Sequence, residues 1–597
     1  MNLTVIFLIS AAILTAAIAF AIVIGAGKYK RGRVLTPFNV VFGGVFLAAF
    51  VCLLPIYDIV LSDVSSGGLK TITLTLYNTF KIFTFNADNE VILKVINGSN
   101  NSLAAIFSSY LSVLFVIAPI LTVGVVLSFF KNVSAYIRYI FNYFNDAYVF
   151  SELNEKSLSL GADIRKNHRR ATIVYTSVFS NKDDAKSDLI EQARAINAIF
   201  YKKDILAVNF NIHYKKSQVV LYTISDDEGA NVDQSLKLIE LYKGRENTDL
   251  FVFSTKKASE LLLAKADKGF IKVRRVNEIR SLVNRILYEQ GAEIFKHANE
   301  ADGESKKISA VIVGLGQHGT EMLKALAWFC QMDGYHVEID AFDVDEKAED
   351  KFSAIAPDLM SKKYNGVAVP GEVDYTIRIH SGCDVSTKSF ADEIAKLTEA
   401  TYVFVSLGSD DANIKAAADL RMMFERINAK PIIQSIVYSA YDKNALEEVT
   451  NYRGQRYDIS FVGDRHTIYS EAVIMKSDLE EDALRRHLKW GKEDDFWQYE
   501  YNYNSSVASA IHMRARIACG IPGAEKKEAD LTDEERDIIQ RLEHRRWNAY
   551  MRSEGYIYSK SHDKSSRNDL AKMHNDLVNF SLLNEQDAKK DSSVGTV

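Results

Sequence analysis

Three stretches of this chain, Leu3–Gly27, Thr36–Tyr57 and Ala104–Phe130, contain no Asp, Glu, Lys or Arg. Each is long enough to cross a hydrocarbon layer about 30 Å thick at about 1.5 Å per helical residue. A buried helix of a water-soluble protein rarely runs so far without one charged edge, so all three are predicted to span a membrane. No basic residue precedes the first stretch and no small-residue cleavage signature follows it, which marks a retained anchor.

Charge placement predicts the orientation. Lys28, Lys30, Arg31 and Arg33 crowd the short loop between the first two stretches, and such loops stay in the cytoplasm. The amino terminus and residues 58–103 are then outside, and everything from about residue 131 is cytoplasmic; Lys131 and Arg138 agree. The four cysteines, Cys52, Cys330, Cys383 and Cys519, have no paired spacing. That suits a reducing compartment and argues against a disulfide framework or a zinc site. A net charge of -5 gives no basis for a nucleic-acid-binding domain.

Residues 146–290 and 308–475 read as two copies of one βα pattern. In the second copy Ser309–Val313 is a strand, Gly314-Leu-Gly316-Gln317-His318-Gly319 a loop opening a helix, and Val337–Phe342 a strand ending at Asp343. In the first copy Ala147–Phe150 and Ala171–Ser177 are the matching strands, and Ser151–Lys156 replaces the glycine loop. Val219–Asp227 with Asn231 parallels Val403–Asp411 with Asn413. Leu250–Ser254 parallels Pro431–Ile436, and Phe270–Val276 parallels Tyr457–Val462. Strands alternating with helices predict two doubly wound parallel-sheet domains, at 145–296 and 308–475, with the charged stretch His297–Lys307 as linker.

The glycine spacing has a mechanism. Gly314 permits a tight turn, Gly316 lets the backbone approach a diphosphate, and Gly319 allows close helix–strand packing. A phosphate would rest on the amides of Gln317 and His318 at the helix start, and Asp343 could accept from ribose hydroxyls. The alternative is a loop that packs the sheet and holds nothing. In the first copy Glu152 would repel a phosphate, so that fold is empty or used differently.

The second copy resembles the TrkA-type nucleotide-binding (TrkA-N) domain, or regulator of potassium conductance (RCK) domain. The matching residues are Val311–Gly319, Asp343 and Ser409-Asp410-Asp-Ala-Asn413. The resemblance implies NAD or another adenine nucleotide as cofactor, domain pairing into a homo-oligomer, and a shape change passed to membrane helices, as in ligand-gated ion channels.

Thr532-Asp-Glu-Glu535 opens a helix predicted to run to Glu554 and stop at Gly555. Glu543, His544 and Trp547 lie in it; Gly555-Tyr556, Arg567, His574, Leu577, Leu583 and Asp591 follow. Residues 530–592 are similar to the RyR domain, first named from ryanodine receptors, and 490–520 is similar to the helical segment that often precedes it. The small RyR unit would be mostly α. Tyr556 stands where that motif usually has tryptophan. The resemblance implies a bacterial inner-membrane protein that senses a nucleotide-derived messenger, in antiviral (phage) defence. Physically, Trp547, Tyr556 and Tyr558 could stack on a base while Arg567 and His544 meet phosphate. Equally, Trp547 could be core and Arg567 a solvated loop charge.

Between the second and third stretches, Leu69–Phe85 fits a helical stripe (Leu69, Ile72, Leu76, Phe80, Phe83) about as well as an alternating strand. It reads either as an external cap or as a re-entrant, pore-flanking segment. Thr122-Val-Gly124-Val is not an ion filter, because a continuous apolar helix hides the carbonyls a filter needs. His380 and Cys383 lack a third residue to orient them, and no catalytic constellation emerges. Three functions remain: a ligand-gated membrane effector with a pore drawing on Ser108, Ser109, Ser112 and Thr122; an NAD- or adenine-nucleotide-binding regulator of potassium transport; and a membrane-tethered NAD-dependent enzyme.

Overall fold

The computed structural model describes residues 3–25, 37–62, 68–84, 86, 89–98, 104–129, 131–178, 184–300, 305–361, 363–364, 367–368, 375–439, 453–559 and 564–596. The basic loop with Lys28, Lys30, Arg31 and Arg33 lies outside the described residues. The chain divides into two compact units, 1–141 and 142–597.

In the first unit, the apolar stretches form helices Leu3–Gly25, Pro37–Val60 and Ala104–Phe129. Each is long and apolar enough to cross a membrane. Pro55 and Pro119 lie inside helices, which hydrocarbon surroundings tolerate when neighbouring helices cover the freed carbonyls. Ser10 of the first helix donates to the Ala48 carbonyl of the second and meets the Tyr110 hydroxyl of the third at 2.8 Å. Residues Gly68–Phe83 and Asn89–Asn97 are helical, which settles the helix-or-strand ambiguity. The first of these lies along Pro37–Val60, not beyond its end: Phe83 meets Phe42 at 4.9 Å and Phe80 meets Phe46 at 5.0 Å between ring centroids.

The second unit holds two parallel sheets. The first is β1 (Ala147–Phe150), β2 (Thr172–Tyr175), β3 (Ile199–Phe200), β4 (Val219–Thr223), β5 (Thr248–Phe253) and β6 (Lys272–Val276), in spatial order β3-β2-β1-β4-β5-β6. One register row places Tyr175, Phe150, Tyr222 and Phe251 side by side. Their rings stack, Phe150 on Tyr222 at 4.6 Å and Tyr222 on Phe251 at 5.1 Å. Such cross-strand aromatic pairs fix register.

After the short β7 (Asn299–Glu300), the second sheet comprises β8 (Lys306–Val313), β9 (Tyr335–Phe342), β12 (Tyr375–His380), β13 (Tyr402–Val405), β14 (Ile432–Ile436) and β15 (Ile459–Val462). A two-strand pair, β10 (Lys363–Tyr364) and β11 (Val367–Ala368), interrupts the sequence. The order β12-β9-β8-β13-β14-β15 repeats that of the first sheet, and β7 pairs antiparallel with β8. Alternate residues of β8 enter different cores. Ile308, Ala310 and Ile312 pack in the larger cluster with helix Gln317–Phe329, while Val311 and Val313 pack with helix Asp410–Arg426. Both faces are covered, which is why β8 reads as a continuous apolar run.

Helices Ser477–His487, Glu500–Ala518, Asp533–Ser553 and Glu585–Gly595 complete the unit. Thr532 and Glu535 form a capping box, and Gly555, at φ +84°, follows the C-cap. The larger cluster joins Leu282 and Val283 of the first half, Leu323 and Leu326 of the second, and Ala508, Ile511 and Met551 of the final helices.

Candidate functional site

Among the described residues of the second unit, three cavities are roomy enough for a small molecule. The first lies at the carboxyl ends of β8 and β13, where the strand order reverses and open α/β sheets bind ligands. Its volume is about 490 Å³, and Gly314, Gly316, Gln317, His318, Asp343 and Asn413 line it. Gly314 has φ +91°, and a Cβ on Gly319 would fall 1.8 Å from the Gly314 carbonyl oxygen. Gly316, by contrast, faces open space. It caps helix Gln317–Phe329 without a side-chain bond, so first-turn amides remain available to an anion. Burial lowers the pKa of His318, leaving a neutral imidazole edge-on to Tyr438 at pH 7.

The other sequence-predicted residues here hold the fold. Asp343 accepts from the Leu315 amide at 2.6 Å and the Asp345 amide at 2.8 Å, so its carboxylate already anchors the glycine turn. Ser409 caps helix Asp410–Arg426, and Asp410 accepts from the Tyr438 and Ser439 amides. Neither of these two lines the cavity. Asn413 is fully buried; it accepts from the Leu407 amide and donates to the Ile436 carbonyl at 2.9 Å. Asn231 makes the same clamp in the first half, accepting from Ser225 and donating to Phe253 at 2.9 Å. The repeated Ser-Asp-Asn signature thus braces neighbouring strand ends in both halves. His380 is also structural: it bonds Asp340 at 2.9 Å and stacks on Phe342 at 4.3 Å.

The second cavity, about 760 Å³, lies at the matching end of the first sheet and shares Gln317, His318 and Tyr438 with the glycine-loop cavity. Glu152, Glu155, Asp226, Glu228 and Glu278 line it against Lys156 and Arg465. Such a surplus of carboxylates disfavours phosphate.

The third cavity is the largest, about 1290 Å³, and residues from both halves and the final helices line it. His544, Trp547, Tyr556 and Arg567 belong to its wall; Tyr558 does not, and its amide donates to Asp358 at 3.1 Å. Trp547 is half-buried, its indole hydrogen-bonded to the Tyr501 hydroxyl and its ring 5.0 Å from that of His574. Tyr556 stands 6.1 Å from Tyr501. His544 is buried, bonded to the Val578 carbonyl at 2.9 Å and Asp591 at 3.2 Å, so it secures the last helix. Arg567 pairs with Asp569 at 3.1 Å while 43% of its side chain stays exposed.

Sequence reasoning did not find the cations opposite. Lys572 lies within hydrogen-bonding reach of Lys257 and 5.3 Å from the Tyr556 ring. Burial pushes the Lys572 ammonium down to about 8, and the Lys257 charge adds to the effect. Arg546 bonds Glu543 at 2.7 Å through Nη2, while its buried Nη1 has no hydrogen-bond partner among the described residues. Arg275 pairs with Glu500 at 2.5 Å, and Arg280 joins Glu321 and Glu554 at 2.6 and 2.7 Å. Two adjacent ammonium groups, the half-exposed Arg567 guanidinium and three aromatic rings suit a planar ring carrying a negative charge. The sequence hint was His544, Trp547, Tyr556 and Arg567 in one module; Lys257 and Lys572 meet only through the fold. No protein-family model matches the chain, and no curated protein matches it.

Proposed function

We propose that the protein is a membrane-anchored effector whose cytoplasmic body binds a nucleotide or nucleotide-derived messenger and thereby gates or activates an oligomeric transmembrane pore. The observation that carries this reading is the cavity of about 1290 Å³, which combines Tyr501, Trp547 and Tyr556 with Lys257, Lys572, Arg546 and Arg567. The helix Asp533–Ser553, with Glu543, His544 and Trp547, supports an RyR-like identity for the final module. The shared strand order and the glycine turn support two Rossmann-type halves, the second of TrkA-N or RCK kind. Three apolar helices support the membrane placement, and antiviral defence is the setting in which such a sensor would act.

A second reading rests on the glycine-loop cavity, whose open Gly316 and uncapped helix start suit NAD or an adenine nucleotide. In that case the protein regulates potassium transport without conducting. Calorimetry on the full-length protein in lipid nanodiscs, with NAD, ATP and cyclic dinucleotides, separates the two. Loss of binding in Arg567→Met, a half-exposed wall residue, with Gly316→Asp unaffected supports the messenger reading. The reverse pattern supports the second, and no heat from the whole panel overturns both. Ion flux from proteoliposomes on adding the bound nucleotide then tests the pore.

A further inference from the structure

The helix Gly68–Phe83 is built inside out. Over most of its length its buried face carries Thr71, Thr75, Asn78 and Thr79, the second and fourth fully buried, before Ile82 and Phe83 at its end. Its outer face carries Leu69, Ile72, Leu76, Tyr77 and Phe80, with Leu69 77% and Phe80 56% exposed. A helix bordering water has the opposite pattern. The polar groups are satisfied locally: Thr75 and Thr79 donate to the carbonyls of Thr71 and Thr75 at 2.7 and 2.8 Å, and Asn78 donates to Leu74 at 2.9 Å. Even Thr73, on the exposed side, turns its hydroxyl back onto the Leu69 carbonyl at 3.0 Å. Hydroxyls that return to their own backbone present no polar group outward, which is what hydrocarbon surroundings demand.

Position along the neighbouring span gives an independent observation. Phe83 and Phe80 pack on Phe42 and Phe46. Phe42 stands eighteen residues before that helix's end at Val60, about 27 Å along its axis. The helix therefore runs beside the span for most of its length. Lys70 and Lys81 stand near its two ends, where long side chains can reach the interface.

We infer that Gly68–Phe83 is a membrane-embedded, re-entrant helix whose Leu69–Ile72–Leu76–Phe80 face contacts lipid acyl chains. This rests on the three-span membrane reading and not on any ligand of the body. The native tryptophans, Trp328, Trp490, Trp497 and Trp547, all lie in the second unit, so a tryptophan placed on this face reports alone within the first. Leu76→Trp and Phe80→Trp, at two separate exposed positions, are reconstituted full-length into phosphatidylcholine vesicles with and without mid-chain bromine. The expected result is at least a twofold loss of the added emission with brominated lipid, no such loss in the unsubstituted protein, and no response to iodide. Quenching by iodide instead would place the helix in water and overturn the inference. Resistance to both quenchers, with a Leu76→Cys disulfide between two copies, would overturn it in favour of a protein–protein contact.

Discussion

Replacing Glu543 by glutamine keeps the shape of the side chain and removes its charge from the most deeply buried ion cluster of the body. Glu543, Arg516 and Arg546 expose 2%, 1% and 1% of their surfaces. The carboxylate accepts from Arg516 Nη2 and from Arg546 Nη2 and Nε. Burial alone would raise its pKa, but Arg546 and Arg516 overcome that and hold it at about 2 against an ordinary 4.5. At about 1.36 kcal/mol per pH unit, that gap corresponds to about 3 kcal/mol favouring the ionised form in the fold. Removing one partner of a buried pair typically costs about 3–5 kcal/mol, because the remaining charge stays in low dielectric. Glu543→Gln should therefore cost about 3–5 kcal/mol at pH 7.

The pH dependence has a definite sign. The folded pKa lies below the unfolded one, so the contribution is complete above about pH 4.5 and is lost as pH falls towards 2. The gap between variant and parent should narrow over that window. A body with several structural parts need not unfold in one step, so peptide-resolved hydrogen exchange over Glu500–Ala518 and Asp533–Ser553 is the assay. Protection in the Gln variant within about 0.5 kcal/mol of the parent at pH 7 would refute the reasoning, since a surface substitution does no more than that. Changing all three charged residues to Met should cost less than Glu543→Gln alone, because no unpaired charge is left behind.

Gly319→Ala places a Cβ 1.8 Å from a backbone oxygen that cannot move without opening the turn, and should cost at least about 1–3 kcal/mol. Gly316→Ala meets nothing and should stay within about 1 kcal/mol of the parent in chemical denaturation; equal losses would contradict the turn's geometry. Lys572 titrates near 8 instead of 10.5, so an anion in the large cavity should bind most tightly below pH 8 and weaken as pH rises through that value. In calorimetry with the bound nucleotide, Lys572→Gln should abolish this slope, and equal parental affinities at pH 7 and 9 would count against ligand contact there.

The apolar spans and the sheets were legible because both depend on local pattern. Absence of charge marks the spans, and β-rich runs separated by helical ones mark the strands. The matching of Asn231 with Asn413 was visible too, yet its meaning was not. A short polar residue after a strand suits a ligand contact and a backbone clamp equally, and the clamp shows only in the carbonyl partners at Phe253 and Ile436. Residues Leu69–Phe83 carry threonines and aliphatic residues in both periods at once, so packing on Phe42 and Phe46 decides the element. The large cavity was the least legible feature. Arg516 and Arg546 sit at ordinary surface-helix spacing, and charged residues are almost never fully buried unless paired. Lys257 and Lys572 are neighbours only because the final module folds against the first sheet's helix.

Charge distribution indicates which cavity can do work on the body. Among the described residues, the glycine-loop cavity has Asp343 and Asp384 but no lysine or arginine in its wall, and the adjoining one carries five carboxylates against two cations. Among the described residues, backbone amides at the helix start are the donors an anion there would meet. The large cavity balances nine carboxylates with nine lysines and arginines among its described wall residues, the cations including Lys257 and Arg275 from the first half, Lys324 from the second and Arg546, Arg567 and Lys572 from the final module. A ligand shifts a conformational equilibrium only by its difference in affinity between states, and moving 1:99 to 99:1 needs about 5.5 kcal/mol. Charge-assisted hydrogen bonds contribute about 1.5–3 kcal/mol each, so two to four of them, formed only when these segments close round a phosphate, are sufficient. Removing Lys572 alone should then reduce the shift by about tenfold or more, whereas removing a charge from the acidic cavity should leave it unchanged.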